Sequence, residues 1–125
     1  MIVLDTSVLI DALSGPGRSS GALRRQIEEG ARITVPALVL YEWLRGPRVA
    51  AELEAQEGLF PATEALPFGP REAAISARLY SSVTRPRGRE LDLAIAAHAL
   101  ISEAELWTLN RTDFEDLPGL RLTEA

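Results

Sequence analysis

The sequence predicts an α/β domain in which a mostly parallel sheet of about four to five strands is flanked by helices. Two observations carry this. Short apolar runs of strand length alternate with longer segments of helical period, punctuated by Gly and Pro. The strand-like runs stand too far apart for hairpins and have helices between them, so their connections are crossovers, the kind a parallel sheet requires. With 125 residues, 46% hydrophobic and 25% charged, the chain fits one soluble globular domain spanning 1–125.

The elements read in the order β-α-α-β-α-α-β-α-α-β-β. Ile2 to Leu4 is a fully apolar strand, and Ser7 to Leu13 a short helix stopped by the Ser14 to Gly17 turn. Arg18 to Glu29 is a second helix, with Leu23 and Ile27 on one face and Gly30 at its end, leading into a strand over Arg32 to Val35. Pro36 suits a helix start, so Ala37 to Arg45 and then Val49 to Glu57 form two more helices. Phe60 to Leu66 is expected to be a third strand, although Pro61 lies inside it. Gly69-Pro70 opens a long helix with Ile75, Leu79 and Val83 on one stripe, ending in the Arg85 to Gly88 loop. Glu90 to Ser102 is apolar almost all round, the signature of a buried helix. Strands at Leu106 to Leu109 and Leu120 to Leu122 complete the pattern.

Composition excludes several chemistries. There is no Cys, which rules out disulfides, cysteine zinc sites and thiol catalysis. The apolar N-terminal run meets Asp5 after four residues and carries no basic segment, predicting a cytoplasmic protein with no signal peptide and no membrane span. All 13 basic residues are Arg, so mechanisms that need a particular lysine, such as P-loop hydrolysis or Schiff-base formation, are closed to it. His98 is the one histidine and sits in an apolar helical run, where it reads as a packing residue. A net charge of -5 argues against gripping nucleic acid by bulk charge alone, though not against a grip mediated by metal.

Carboxylates remain. In a parallel α/β sheet, ligands gather at the carboxyl ends of the strands. Asp5 follows the first strand directly, and Asp113 lies in the turn after the Leu106 to Leu109 strand. Crossover helices run antiparallel to the strands, so their first turns lie at the same edge, and Asp92 sits in the first turn of the helix from Glu90. Each alone has an ordinary reading: a helix cap, a dipole-complementing residue, an Asx-turn. Together they would repel one another unless a cation neutralises them, and a hard divalent ion takes oxygen ligands and activates water.

The segment Leu4 to Leu13, Glu42, the segment Leu91 to Leu100 and the segment Thr108 to Phe114 together resemble the signature of PIN-domain ribonucleases, and most nearly the VapC toxins of toxin-antitoxin pairs. The resemblance spans essentially the whole chain. It implies a PIN-like α/β/α fold and an acidic quartet of Asp5, Glu42, Asp92 and Asp113 serving as catalytic and metal-binding residues. Thr6 or Ser7 matches the hydroxyl that supports the first aspartate, and Asn110 the polar residue that orients the last. Glu42 rests on the resemblance alone, because the strand-end rule does not bring a residue two turns into a helix to the site. Asp11, at the end of a short helix, is left outside the quartet.

What the resemblance implies is an endoribonuclease that hydrolyses RNA phosphodiester bonds with water activated by one or two Mg²⁺ or Mn²⁺ ions, leaving 5′-phosphate and 3′-hydroxyl ends. Asp5, Glu42 and Asp92 would hold the principal ion. The implied partners are an RNA substrate, a cognate antitoxin and a second copy of the chain in a homodimer. Arg85, Arg87 and Arg89 cluster before Asp92 and are candidate RNA phosphate contacts. The helix from Ala37 to Arg45 is too apolar for an ordinary surface helix, so Trp43 and Leu44 are expected to line a groove for an antitoxin helix. The alternative function is a non-catalytic PIN-like module that binds RNA or protein, from which clustered carboxylates would gain nothing.

Overall fold

The computed structural model describes residues 1–124. The chain runs β1 (Ile2–Leu4), α1 (Thr6–Leu13), α2 (Ser20–Glu28), β2 (Ile33–Thr34), α3 (Ala37–Leu44), α4 (Ala50–Leu59), α5 (Pro70–Ser82), α6 (Glu90–Ile101), β3 (Glu105–Trp107) and β4 (Arg121–Leu122), with short 3₁₀ turns at Ala62–Glu64 and Arg111–Asp113. The four strands form one sheet in the order β2-β1-β3-β4. Every pairing is parallel, with Ile2 opposite Ile33 and Glu105, and Leu4 opposite Trp107.

Strand β1 is central, and its three residues are all buried. That follows from its composition, since a strand covered by helices on both faces has no solvent side to make polar. Helix α6 obeys the same rule: every residue from Leu93 to Ala99 is buried, leaving no polar stripe. α5 packs along it with Leu79 buried. Helix α2 is amphipathic and stops where Gly30 takes a positive φ of 87°, letting the Ala31 N–H close on the Gln26 carbonyl at 2.9 Å.

The expected third strand over Phe60 to Leu66 does not form. Helix α4 extends to Leu59, the 3₁₀ turn follows, and Leu66 alone reaches the sheet, through a single parallel bridge to Pro36. Two hydrogen bonds make that bridge: Leu66 N–H donates to the Val35 carbonyl at 3.0 Å and Ala37 N–H to the Leu66 carbonyl at 2.8 Å. Helix α3 begins at Ala37, directly after the bridge, and the 3₁₀ turn takes up Ala62–Glu64 before it, so pairing stops after one step. The last helical crossover strand also ends earlier than its apolar run suggests, at Trp107, which releases Thr108 into the loop beyond the sheet edge.

Candidate functional site

The site is built at the carboxyl edge of β1 and β3. Asp5 follows β1 at once, and its backbone N–H donates to the Trp107 carbonyl at 2.9 Å, keeping the two strand ends in step. Asp5 is therefore buried, 4% exposed, despite its charge. Its Oδ2 accepts two hydroxyl donors: Ser7 Oγ at 2.8 Å and Thr108 Oγ1 at 2.7 Å. Each hydroxyl accepts a backbone N–H in turn, Ser7 from Leu109 at 3.0 Å and Thr108 from Asn110 at 3.0 Å. A hydroxyl has one proton, so both are committed to Asp5 and the carboxylate is held in one orientation. Among the described residues no hydrogen bond reaches Asp5 Oδ1.

Glu42 arrives from α3. It is stretched toward the same edge by Thr6, whose Oγ1 donates to Glu42 Oε1 at 2.6 Å, while Arg45 one turn on lies 3.3 Å from Oε2. Asp92 stands in the first turn of α6, and Asp113 closes the 3₁₀ turn after β3. The structure brings these four carboxylates into one field. Burial, then the negative charges of Asp5, Asp113 and Glu42, push the Asp92 carboxyl up to about 6, with Arg89 opposing them.

This donor set fits a hard divalent cation. It offers only oxygen and carries excess negative charge, which burial and the neighbouring carboxylates make felt at Asp92. The carboxylates are not drawn into a closed cage: among the described residues no three acidic or histidine side chains stand at metal-coordinating proximity. Mg²⁺ commonly takes one or two carboxylates and keeps several waters, so an ion here would rest on few direct protein ligands.

Of the two hydroxyls expected at the first aspartate, one is found there and the other serves a second carboxylate. Ser7 supports Asp5, whereas Thr6 supports Glu42. Asn110 contributes through its backbone, which donates to Thr108 and accepts the Asp113 N–H at 3.0 Å. Thr108 is a supporting residue the sequence reading passed over. The expected strand over Leu106 to Leu109 put it inside the sheet, and only the strand's end at Trp107 brings it to the edge. Arg85 and Arg87 lie exposed in the loop before α6. Arg89 is engaged: its guanidinium grips both oxygens of Asp116 at 2.7 and 3.0 Å and donates to the Asp113 carbonyl at 2.9 Å.

Three residues lie outside this constellation. Asp11 accepts the Ser19 N–H at 2.7 Å, pinning the α1–α2 connection, and bonding to Ser19 holds its carboxyl low. His98 is buried, with Phe68 edge-on at 6.1 Å, and burial pushes its imidazole down, as a packing histidine requires. Trp43 corrects the groove expectation: it is 0% exposed, with Arg48 stacked over its ring at 4.1 Å, because this face of α3 turns to the core. Leu44, the next residue round the helix, is exposed.

Known proteins share the family and the fold of this chain. A PIN domain model matches residues 2–120. Ribonuclease VapC19 of Mycobacterium tuberculosis is 33% identical over 124 residues, covering 97% of this chain and 98% of that protein. Among solved structures, DNA-bound VapBC from Salmonella typhimurium aligns with a TM-score of 0.79 at 23% identity, covering 98% of this chain and 96% of that one. A toxin-antitoxin complex from Klebsiella pneumoniae aligns at 0.76 and 24% identity, over 96% of this chain and 95% of its counterpart. A parallel four-stranded sheet whose edge gathers carboxylates from β1, α3, α6 and the turn after β3, matched over nearly its full length by these relatives, makes this chain a member of the PIN-domain family, related within it to VapC ribonucleases.

Proposed function

We propose that this chain is a metal-dependent endoribonuclease, the toxin of a VapBC-like toxin-antitoxin pair. The observation that carries the reading is the convergence of Asp5, Glu42, Asp92 and Asp113, where burial and then the charges of the other three push the Asp92 carboxyl up to about 6. A binding module would gain nothing from that repulsion, whereas a Mg²⁺ or Mn²⁺ site depends on it. Asp5, Glu42 and Asp92 would hold the principal ion, and Asp113 a second ion or a water. When bound, the cation offsets charge on the phosphate and brings water to reactivity near neutral pH.

The chain's own residues do the positioning. Ser7 and Thr108 fix the Asp5 carboxylate through Oδ2, and among the described residues no hydrogen bond engages Oδ1. Thr6 fixes Glu42 through Oε1. Such support orients ligands before substrate arrives and lowers the reorganisation needed in the reaction. Arg85 and Arg87, exposed beside α6, are the free cations suited to flanking RNA phosphates.

An antitoxin partner is supported by relatives that are toxin-antitoxin complexes and by an apolar cleft of about 570 Å³ among α1, α2 and α4, lined by Leu13, Leu23, Ile27 and Leu59. That cleft suits an amphipathic helix better than the face of α3 first considered. Exposed Tyr41 and Leu44 on α3 are candidates for the contact between two copies in a homodimer. No helix among the described residues is long and apolar enough to cross a membrane; the cytoplasm is the proposed compartment.

The test is incubation of the purified chain with single-stranded RNA. Cleavage that needs Mg²⁺ or Mn²⁺, stops with chelator, yields 5′-phosphate ends and disappears in Asp5→Asn supports the reading. RNA binding without cleavage under any divalent ion supports the non-catalytic alternative instead.

A further inference from the structure

Arg89 links the start of α6 to the turn after β3. Its carbonyl accepts the Leu93 N–H at 2.9 Å and so begins the helix that carries Asp92. Its guanidinium reaches across to the turn after β3, gripping both carboxylate oxygens of Asp116 and the main-chain carbonyl of Asp113. The Arg89 side chain is 20% exposed and Asp116 49%, so the pair is sheltered on the arginine side only. A bidentate fork is directional in a way a single charge contact is not, and here its third bond falls on the backbone of a candidate ligand itself.

Building on the nuclease reading, we infer that Arg89 is a positioning residue: with Asp116 it clamps the 113–116 turn to the start of α6 and so holds the Asp113 carboxylate beside Asp92. This is a different role from the phosphate contact expected of it, because donors already spent on Asp116 and Asp113 are not available to RNA. The 3₁₀ turn bearing Asp113 is three residues long and exposed, too short to fix a side chain by itself. Without the clamp, the turn loses its side-chain tie to the start of α6, and Asp113 is free to move away from Asp92.

A double-mutant cycle on the full chain tests this, using Arg89→Gln and Asp113→Asn alone and together. Two readouts are followed: steady-state cleavage of single-stranded RNA with Mn²⁺, and Mn²⁺ binding by calorimetry without RNA. Arg89→Gln should lower kcat about tenfold with KM within about twofold, and weaken Mn²⁺ binding about tenfold. In the Asp113→Asn background the same change should alter either quantity by less than about twofold. Asp116→Asn, which leaves Arg89 in place, should shift both in the same direction by less, and carries the test if Arg89→Gln does not fold.

A raised KM and a flattened salt dependence of RNA binding, with kcat and Mn²⁺ affinity intact, would make Arg89 a phosphate contact and overturn the proposal. Equal losses in both backgrounds would overturn it as well. A wild type that binds Mn²⁺ but cuts no RNA defeats the nuclease reading alone, since calorimetry still decides the clamp. A wild type that binds no Mn²⁺ defeats both.

Discussion

Thr6 donates its hydroxyl to Glu42 at 2.6 Å, joining the residue after the β1 aspartate to a glutamate 36 positions away on α3. The bond explains how a residue well inside a helix serves a strand-end site. Thr6 is largely buried, and a carboxylate acceptor makes this one of the stronger hydrogen bonds in the chain.

Thr6→Val is nearly isosteric and removes only this bond. It should reduce RNA cleavage about tenfold and cost about 1 kcal/mol of stability, while Thr6→Ser retains most of both. Cleavage assays and melting curves of the two variants measure this; equal activity in Val and Ser would remove the hydroxyl from the site's support.

Ser7 and Thr108 share one acceptor, Asp5 Oδ2, so their effects should be coupled. Ser7→Ala and Thr108→Val should each weaken Mn²⁺ binding by up to about tenfold, and the double variant by more than the product, because the second loss leaves a buried carboxylate oxygen without any donor. Calorimetric titration of the four proteins gives the coupling directly.

Asp92 supplies the pH dependence. Its folded carboxyl lies near 6, above the ordinary 3.8 that it regains on unfolding. The unfolded chain therefore ionises first as pH rises, and the native state is penalised increasingly from about 4 upward, fully above about 6. In chelator at pH 7, Asp92→Asn should melt higher than wild type, by on the order of 1 kcal/mol after allowance for the site's partial exposure, or a few degrees. Lowering the pH through that window should erase the difference. Mn²⁺ should stabilise wild type and leave the variant nearly unmoved. A variant that melts lower in chelator at pH 7 would make Asp92 an ordinary helix-start residue.

Trp43 fills the core under α3 and supports the Arg48 guanidinium, whose Nε also donates to the Trp43 carbonyl at 2.8 Å. Trp43→Ala should cost about 3–5 kcal/mol, enough to unfold much of a small domain near its growth temperature. Leu44→Ala, on the exposed side, should change stability by no more than about 0.5 kcal/mol. Chemical denaturation of both variants separates a core role from a surface one.

Local rules were sufficient wherever the determining contacts are local. An apolar triplet followed by an aspartate, and an apolar helix beginning near another, place Asp5 and Asp92 at one sheet edge without reference to any distant residue. The turn chemistry after β3 does the same for Asp113. Helix periodicity also foretold that α6 would be buried, because a helix with no polar face has nowhere else to go.

Contacts between distant segments depended on the packed fold. Phe60 to Leu66 has a strand's composition, but α4 runs on to Leu59, a 3₁₀ turn takes Ala62–Glu64, and the start of α3 at Ala37 leaves room for a single bridge to Leu66. The apolar residues of α3 exceed one face, and only packing decided that Trp43 turns inward while Leu44 turns out. Glu42 meets Thr6, Thr108 meets Asp5 and Arg89 grips Asp116 across long stretches of chain, each through a side chain whose reach is set by how helices and loops settle on the sheet. The residue types were thus determined by the chemistry their segments carry, and their pairing by tertiary geometry, since a hydrogen bond depends on a distance of a few tenths of an ångström that no local pattern encodes.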